Sequence, residues 1–302
     1  MGELRFDGRS VIVTGAGRGL GRAHARLLAD RGASVVVADT GASVDGTDGS
    51  EAPADEVVEE IRRAGGRAVA CSASVATAEG AAAIVGTAVD SFGRIDAVVN
   101  NAGISDKHLF ADLSDEQFRR MLDVHLFGTL HVTRAAWSHF VAAGYGRIVN
   151  TVSEGMLGAQ PMLTSYGTAK GGVWGFTRTL AIEAAGEQDI RVNAVAPRAL
   201  TRMLLADARA HAGGVDVDGA VAEALAHMDP ALVSPVAAFL AHETCPINGE
   251  VLVAGGGRVM RLAPVRTSGI TRDHLTLEDV ADGLDQVMDP TGAVVVPVDE
   301  FT

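Results

Sequence analysis

The sequence predicts a single doubly wound α/β domain, a parallel sheet of seven strands with helices on both faces, followed by a C-terminal extension. Three observations carry that expectation. Residues 9 to 41 run from a short apolar segment (VIV) through a glycine-rich turn (TGAGRGLG) and an amphipathic stretch into a second apolar run, the pattern of a β-α-β unit. Further apolar runs at 67–71, 96–103, 147–152, 191–196 and 250–254 alternate with helix-compatible stretches. The composition, 47% hydrophobic with 36 glycines and only 4% aromatics, suits a tightly turned parallel sheet, and 302 residues fit one such domain.

Charge and cysteine content narrow the function. A net charge of −13 argues against a nucleic-acid partner or an anionic membrane, both of which need a basic surface. Cys71 and Cys245 lack metal-site spacing and read as reduced thiols, which points to a cytoplasmic protein without a structural metal. Arg5, Asp7 and Arg9 interrupt any apolar leader, and no run is as long as a membrane span.

In chain order, the first turn carries Gly15, Gly17, Gly19 and Gly21 between a strand and a helix. Glycines there permit a tight turn and let the backbone approach a pyrophosphate, which then sits on the helix N-terminus; this is the Rossmann-type arrangement. Asp39 ends the second strand, where a carboxylate accepts from ribose hydroxyls and repels a 2′-phosphate. Arg18 pulls the other way, and the balance favours NAD. Residues 40 to 55 form a Gly, Ser and Asp-rich insert expected over the adenosine end, before a helix at 55–64 and a strand at 67–71.

A helix at 76–91 leads to DAVVNNAG, with Asn100, Asn101, Ala102 and Gly103. A helix at 115–140 contains His125, and the strand at 147–152 delivers Ser153 to the carboxyl edge of the sheet, where such folds bind ligands. The strand at 191–196 ends in Pro197, Arg198 and Thr201, and the segment at about 198–230 is expected to be a substrate lid. After a helix at 233–242 and a strand at 250–254 the domain can close at Gly257. Residues 258–302, with a helix at 276–288 and an apolar run at 293–297, form an extension packed on the domain or on a partner subunit.

The stretch Asn150 to Lys170 holds the chemistry. The chain has two tyrosines and two lysines, and one of each stands four residues apart, Tyr166 and Lys170, on one face of a helix. A neighbouring ammonium favours the phenolate by about 4 kcal/mol at about 4 Å and an effective dielectric of about 20, which draws the phenol's titration toward neutral pH. On its own such a pair also occurs on ordinary helix surfaces; the glycine loop upstream decides between the readings.

Ser153, then Tyr166 thirteen residues on, then Lys170, together with the TGxxxGxG turn and NNAG, resembles the short-chain dehydrogenase/reductases. The resemblance implies Ser153, Tyr166 and Lys170 as the catalytic set, with His125 at the position where most of the family has an asparagine that holds a water in the proton path. It implies a NAD cradle of Gly15, Gly17, Arg18, Gly19, Leu20, Gly21, Asp39, Asn101, Ala102, Gly103, Tyr166, Lys170, Pro197 and Thr201. The chain departs from the family at Ala73, where an aspartate usually meets adenine, and at Arg198, which replaces a glycine.

Four stretches narrow the likeness: LRFDGR, DEVVEEIRRAGGRAVA, VHLFGTLHVTRAAW and HETCPINGEVLVAGGG. They resemble the (3R)-hydroxyacyl-CoA dehydrogenase portion of the peroxisomal multifunctional enzyme type 2 and its stand-alone bacterial relatives. The resemblance implies a secondary alcohol or ketone substrate, an acyl-CoA foremost, with a 17-beta type hydroxysteroid dehydrogenase or a 3-oxoacyl reductase as alternatives, and a homodimer or homotetramer. A protein of another class, a dinucleotide-binding sensor or scaffold without turnover, has no use for an intact Ser153, Tyr166 and Lys170.

Overall fold

The computed structural model describes residues 2–46, 52–158, 160–186, 189–199 and 228–298. Its seven parallel strands are β1 (Ser10–Thr14), β2 (Ser34–Ala38), β3 (Arg67–Cys71), β4 (Ala97–Asn100), β5 (Tyr145–Thr151), β6 (Asp189–Pro197) and β7 (Val251–Gly255), in the order β3-β2-β1-β4-β5-β6-β7. Strand order reverses between β1 and β4, the doubly wound crossover that opens a crevice at the carboxyl ends.

Successive side chains of a strand point to opposite faces, so each strand feeds two cores. Val11, Val13, Val35 and Val37 pack on the face covered by α1 (Gly19–Asp30), α2 (Ala52–Arg63) and α7 (Ser234–Ala241). Ile12, Val36, Val98 and Ile148 pack on the other, under α3 (Ala78–Phe92), α5 (Gly128–Ala143) and α6 (Thr164–Ala185).

Three expectations change. The sheet has eight strands: β8 (Arg258–Leu262) pairs antiparallel with β7. Gly255 faces Arg258 across a two-residue turn in which Gly256 and Gly257 take φ of 56° and 72°, the conformation a tight hairpin needs and only glycine adopts without strain. Gly257 is thus a hairpin tip rather than the end of the fold, and the extension begins inside the sheet.

The helix expected at 115–140 is two helices, α4 (Asp115–Leu122) and α5, joined by a π-helical turn at Asp123–Phe127 that contains His125. The helix expected at 276–288 divides at Gly283 into α8 (Leu277–Asp282) and α9 (Leu284–Met288). A small hairpin of β9 (Val265–Arg266) and β10 (Val294–Val295) completes the extension, which Arg178 of α6 ties down by donating to the carbonyls of Val296 and Pro297. Of the insert at 40–55, residues 47–51 lie outside the described ones and α2 already begins at Ala52.

A buried polar chain fixes the middle of the sheet. Asn100 Nδ2 donates to Asn150 Oδ1 (2.9 Å) and Thr133 Oγ1 (3.0 Å), and Asn150 Nδ2 donates to Thr177 Oγ1 (2.9 Å). Such groups inside a core are tolerated when paired, and here the pairing locks β4 and β5 onto α5 and α6. Among the described residues no helix is long and apolar enough to cross a membrane.

Candidate active site

The carboxyl ends of β1, β2, β4, β5 and β6 surround a cleft of about 320 Å³. Gly15, Arg18, Gly19, Leu20, Asp39, Asn101, Ala102, Gly103, His125, Ser153, Tyr166, Lys170 and Pro197 all line it. Gly17 and Gly21 support it from behind. Thr201 lies outside the described residues, as does the expected lid from residue 200 to 227.

The glycine loop is built by close approach. A Cβ on Gly15, whose φ is 62°, would come 2.7 Å from Ala102 Cα, and one on Gly17 would come 2.7 Å from Pro53 Cβ and 2.9 Å from Asp39 Oδ2. Asp39 uses that proximity, since its Oδ2 accepts from the Gly17 N–H (2.8 Å) and its Oδ1 from the Gly41 N–H (2.6 Å). Arg18 reaches over the same end toward the Ala42 carbonyl (3.4 Å). Asn101 works mainly as a strut: its Nδ2 donates to the carbonyls of Thr14 (2.9 Å) and Gly15 (3.1 Å), while Thr14 Oγ1 accepts from the Asn101 and Ala102 N–H groups. Ala73 also lines the cleft, with Ser74 and Val75 beside it. A pyrophosphate-bearing dinucleotide fits this cradle: Gly15 and Gly19 present backbone to the cleft and α1 opens at Gly19 with the N–H groups of a helix start.

At the other end, Ser153 is the extended residue that caps a 3-10 turn, Glu154–Leu157, its Oγ accepting from the Gly155 N–H (3.1 Å). Tyr166 stands in the first turn of α6 and Lys170 one turn later. Gly155 was not singled out in the sequence, yet a Cβ there would sit 3.2 Å from Tyr166 Cε1 and 3.4 Å from Ser153 Oγ, so glycine is what lets the two side chains come together. Thr151 is the other omission: its carbonyl accepts from Lys170 Nζ at 2.6 Å. Neither stands out in the sequence, because Thr151 acts through a carbonyl that every residue carries and Gly155 through a missing Cβ beside side chains that only the fold brings near.

Lys170 is 4% exposed, and burial pushes its amine from 10.5 down to about 7. The permanent cation expected from the sequence is therefore one that desolvation brings close to neutrality. Its Nζ lies 5.8 Å from the centroid of the Tyr166 ring.

His125 is buried on the π turn and packs edge-on against Tyr166, ring centroids 5.3 Å apart. Its Nε2 lies 2.9 Å from the Ile104 carbonyl and 3.1 Å from the Ile104 N–H, while Nδ1 is buried without a protein partner. Gly103 makes room for the ring, since a Cβ there would come 2.5 Å from Cε1. Burial first, and the charge of Lys170 second, hold the imidazole well below its ordinary value, so the ring is neutral. Next in sequence to Ser153 and Pro197, Glu154 and Arg198 form a two-pronged ion pair, both contacts 2.6 Å. Among the described residues no group of His, Cys, Asp or Glu is placed to hold a metal ion.

A glycine loop on a helix N-terminus and a Ser-Tyr-Lys group sharing one cleft define a dinucleotide-linked oxidoreductase. The short chain dehydrogenase family model matches residues 9–212. A short-chain type dehydrogenase/reductase of Mycobacterium tuberculosis is 45% identical over 95% of this chain and 96% of its own length. The peroxisomal multifunctional enzyme type 2 of Mus musculus is 41% identical over 96% of this chain, which spans only 38% of that longer protein. A solved 7α-hydroxysteroid dehydrogenase, complexed with NADH and 7-oxo glycochenodeoxycholic acid, superposes with a TM-score of 0.73 at 29% identity, covering 85% of this chain and 98% of that one. The chain belongs to the short-chain dehydrogenase/reductase family.

Burial of Lys170 has a consequence for stability. The unfolded chain holds this proton up to about pH 10.5 and the folded chain only to about 7, so between those values the unfolded state binds more protons and stability rises with pH. Below about 7 the cost is present in full. In Lys170→Met the titration is gone, so the melting temperature of the variant minus that of the wild type grows as pH falls from 10.5 to 7 and is flat below. A pH-independent difference would show that the folded chain keeps the ordinary lysine proton.

Proposed function

We propose that this chain is a NAD-dependent oxidoreductase that interconverts a secondary alcohol and a ketone, with a (3R)-3-hydroxyacyl-CoA as substrate. The observation that carries the reading is the convergence of Ser153, Tyr166 and Lys170 on the cleft that the glycine loop opens. A nicotinamide dinucleotide bound there supplies the hydride acceptor and donor. In this reading the backbone of the loop and the first turn of α1 hold the pyrophosphate, Asp39 holds the adenine ribose, and Pro197 and Thr201 lie toward the nicotinamide.

The chain's own residues then manage a proton and an oxygen. Tyr166 takes the hydroxyl proton in oxidation and returns it in reduction. The Ser153 hydroxyl donates to the carbonyl oxygen as it develops charge. Lys170 favours the phenolate and reaches the ribose; its remaining N–H donors are free of the Thr151 bond. His125 belongs to the same assembly, holding Ile104 at the cleft wall and offering a buried Nδ1 lone pair or proton to a water in the proton path.

The acyl-CoA assignment rests on the likeness to multifunctional enzyme type 2 over 96% of this chain. A steroid alcohol is the second reading, favoured by the superposition on a hydroxysteroid dehydrogenase; a 3-oxoacyl reductase is the same chemistry run in the other direction on a related acyl group. The reading includes a homodimer or homotetramer and a cytoplasmic location. A redox sensor or scaffold without turnover belongs to another class, and steady-state assays separate it at once.

With NAD and a panel of 3-hydroxyacyl-CoA, steroid and simple secondary alcohols, absorbance of the reduced cofactor rises for the wild type. Tyr166→Phe loses at least about a hundredfold in kcat, the size of a general acid–base contribution, while cofactor affinity stays within a few-fold. A phenylalanine variant retaining more activity than that removes Tyr166 from the role.

NAD is preferred over NADP in kcat/KM, because the Asp39 carboxylate faces the place of a 2′-phosphate. Asp39→Ala narrows the ratio. A wild type that uses NADP equally well would mean that Arg18 outweighs Asp39.

His125→Asn keeps much of the activity, since an amide can hold the Ile104 backbone and a water, whereas His125→Leu loses activity with a melting temperature near that of the wild type. The reverse order, leucine tolerated and asparagine destabilising by about 1–3 kcal/mol for an unmatched buried amide, would make the ring a packing element only.

A further inference from the structure

The Glu154–Arg198 pair bridges two neighbouring strands of the sheet just past the point where their backbone ladder ends. The backbone ladder between β5 and β6 closes with the Val152 N–H donating to the Val195 carbonyl (2.9 Å). Beyond it β5 passes into the Ser153 turn and β6 ends at Pro197, and both residues line the same cleft. Arg198 spans the two: its Nε and Nη2 meet the two oxygens of Glu154, each at 2.6 Å.

The arginine is itself anchored. Its N–H donates to the Ala254 carbonyl at the end of β7 (2.7 Å), and Gly255 lies so close under it that a Cβ there would come 2.7 Å from Arg198 Cβ. The guanidinium holds the Glu154 carboxyl below its ordinary range, so the pair is charged through neutral pH. Exposed ion pairs contribute little to global stability. A planar fork on a carboxylate nevertheless fixes direction as well as distance, and this one joins residues next to Ser153 and Pro197.

We propose that Glu154 and Arg198 are positioning residues, a clamp that sets the separation of the Ser153 turn from the Pro197 wall and so the alignment of the substrate's reacting carbon with the cofactor. This rests on the dehydrogenase reading for its kinetic consequence, though not for the clamp itself. Misplacement of a reacting group by about 1 Å can cost on the order of a hundredfold in rate, so a weak bond can matter greatly here.

The test uses the full chain with Glu154→Gln, Arg198→Gln, both together, and the exchange Glu154→Arg with Arg198→Glu. Each single variant is expected to lower kcat by about tenfold or more, with KM for the alcohol changed far less, and the double glutamine variant to be no worse than the singles. The exchanged pair recovers part of the loss. Raising salt to about 1 M, where the screening length is about 3 Å, lowers wild-type kcat toward the variants and leaves the variants unchanged. Singles within twofold of the wild type in kcat, or losses that simply add, overturn the proposal.

Amide hydrogen exchange supplies a readout that needs no turnover. In the glutamine variants exchange of residues 153–158 rises while β5 and the melting temperature stay as in the wild type; unchanged exchange in that turn overturns the clamp. If no alcohol is turned over by the wild type, the oxidoreductase reading fails, and the exchange experiment still decides whether the pair holds the turn.

Discussion

An amine buried beneath the end of a strand is the constraint on which the rest of this protein depends. Lys170 is held there by the Thr151 carbonyl near the end of β5, to which its Nζ donates a hydrogen bond at 2.6 Å. That carbonyl is in place because β5 is pinned between β4 and β6, and because Asn150, one residue earlier, is bonded on both sides. Desolvation holds the lysine near its own titration point, while the burial of His125 first, and the charge of Lys170 second, keep the imidazole neutral. A buried charge is costly when alone, so the cleft holds a group whose burial lowers folding stability wherever the amine is protonated.

The two ends of the cleft obtain their shape by different means. At the dinucleotide end, shape comes from missing side chains: Gly15, Gly17 and Gly21 bring loop, Asp39 and the Asn101 strut together, and polar contacts there run largely through backbone N–H and C=O groups. At the reacting end, shape comes from side chains on four separate elements, the Ser153 turn, α6, the π turn and the segment after β6. The first end tolerates little substitution but needs little coordination. The second depends on how strands and helices are held relative to one another.

That difference explains what could be read from the sequence. The glycine turn, Asp39, NNAG and the Ser153–Tyr166–Lys170 spacing are local patterns, and each falls on the cleft or directly behind it. The seven parallel strands were likewise legible from their short β-branched runs. What escaped was relational. Thr151 matters through a carbonyl, which every residue has; Gly155 matters because Tyr166 comes near it; and the eighth strand hides behind a glycine run that reads equally well as the end of a domain. Gly256 and Gly257 between VLVA and RVMRL carry the signal of a hairpin.

The π turn at Asp123–Phe127 is a phase change in what is otherwise one long helix. One residue beyond the α-helical count turns everything after it by about 100° relative to everything before it. Met121, before the turn, is thereby aimed at Ile104 and Ala169, while Val132, Ala136 and Phe140, after it, face the sheet in a different core. The candidate cleft and the hydrophobic core both draw on this helix, and the extra residue lets each be packed in its own register. Shortening the turn by one residue would leave both halves helical and composition almost unchanged, yet it would rotate one set of contacts out of register with its partners. The length of this segment is therefore constrained separately from the identity of His125 within it, a constraint that deletion experiments read and substitution experiments do not.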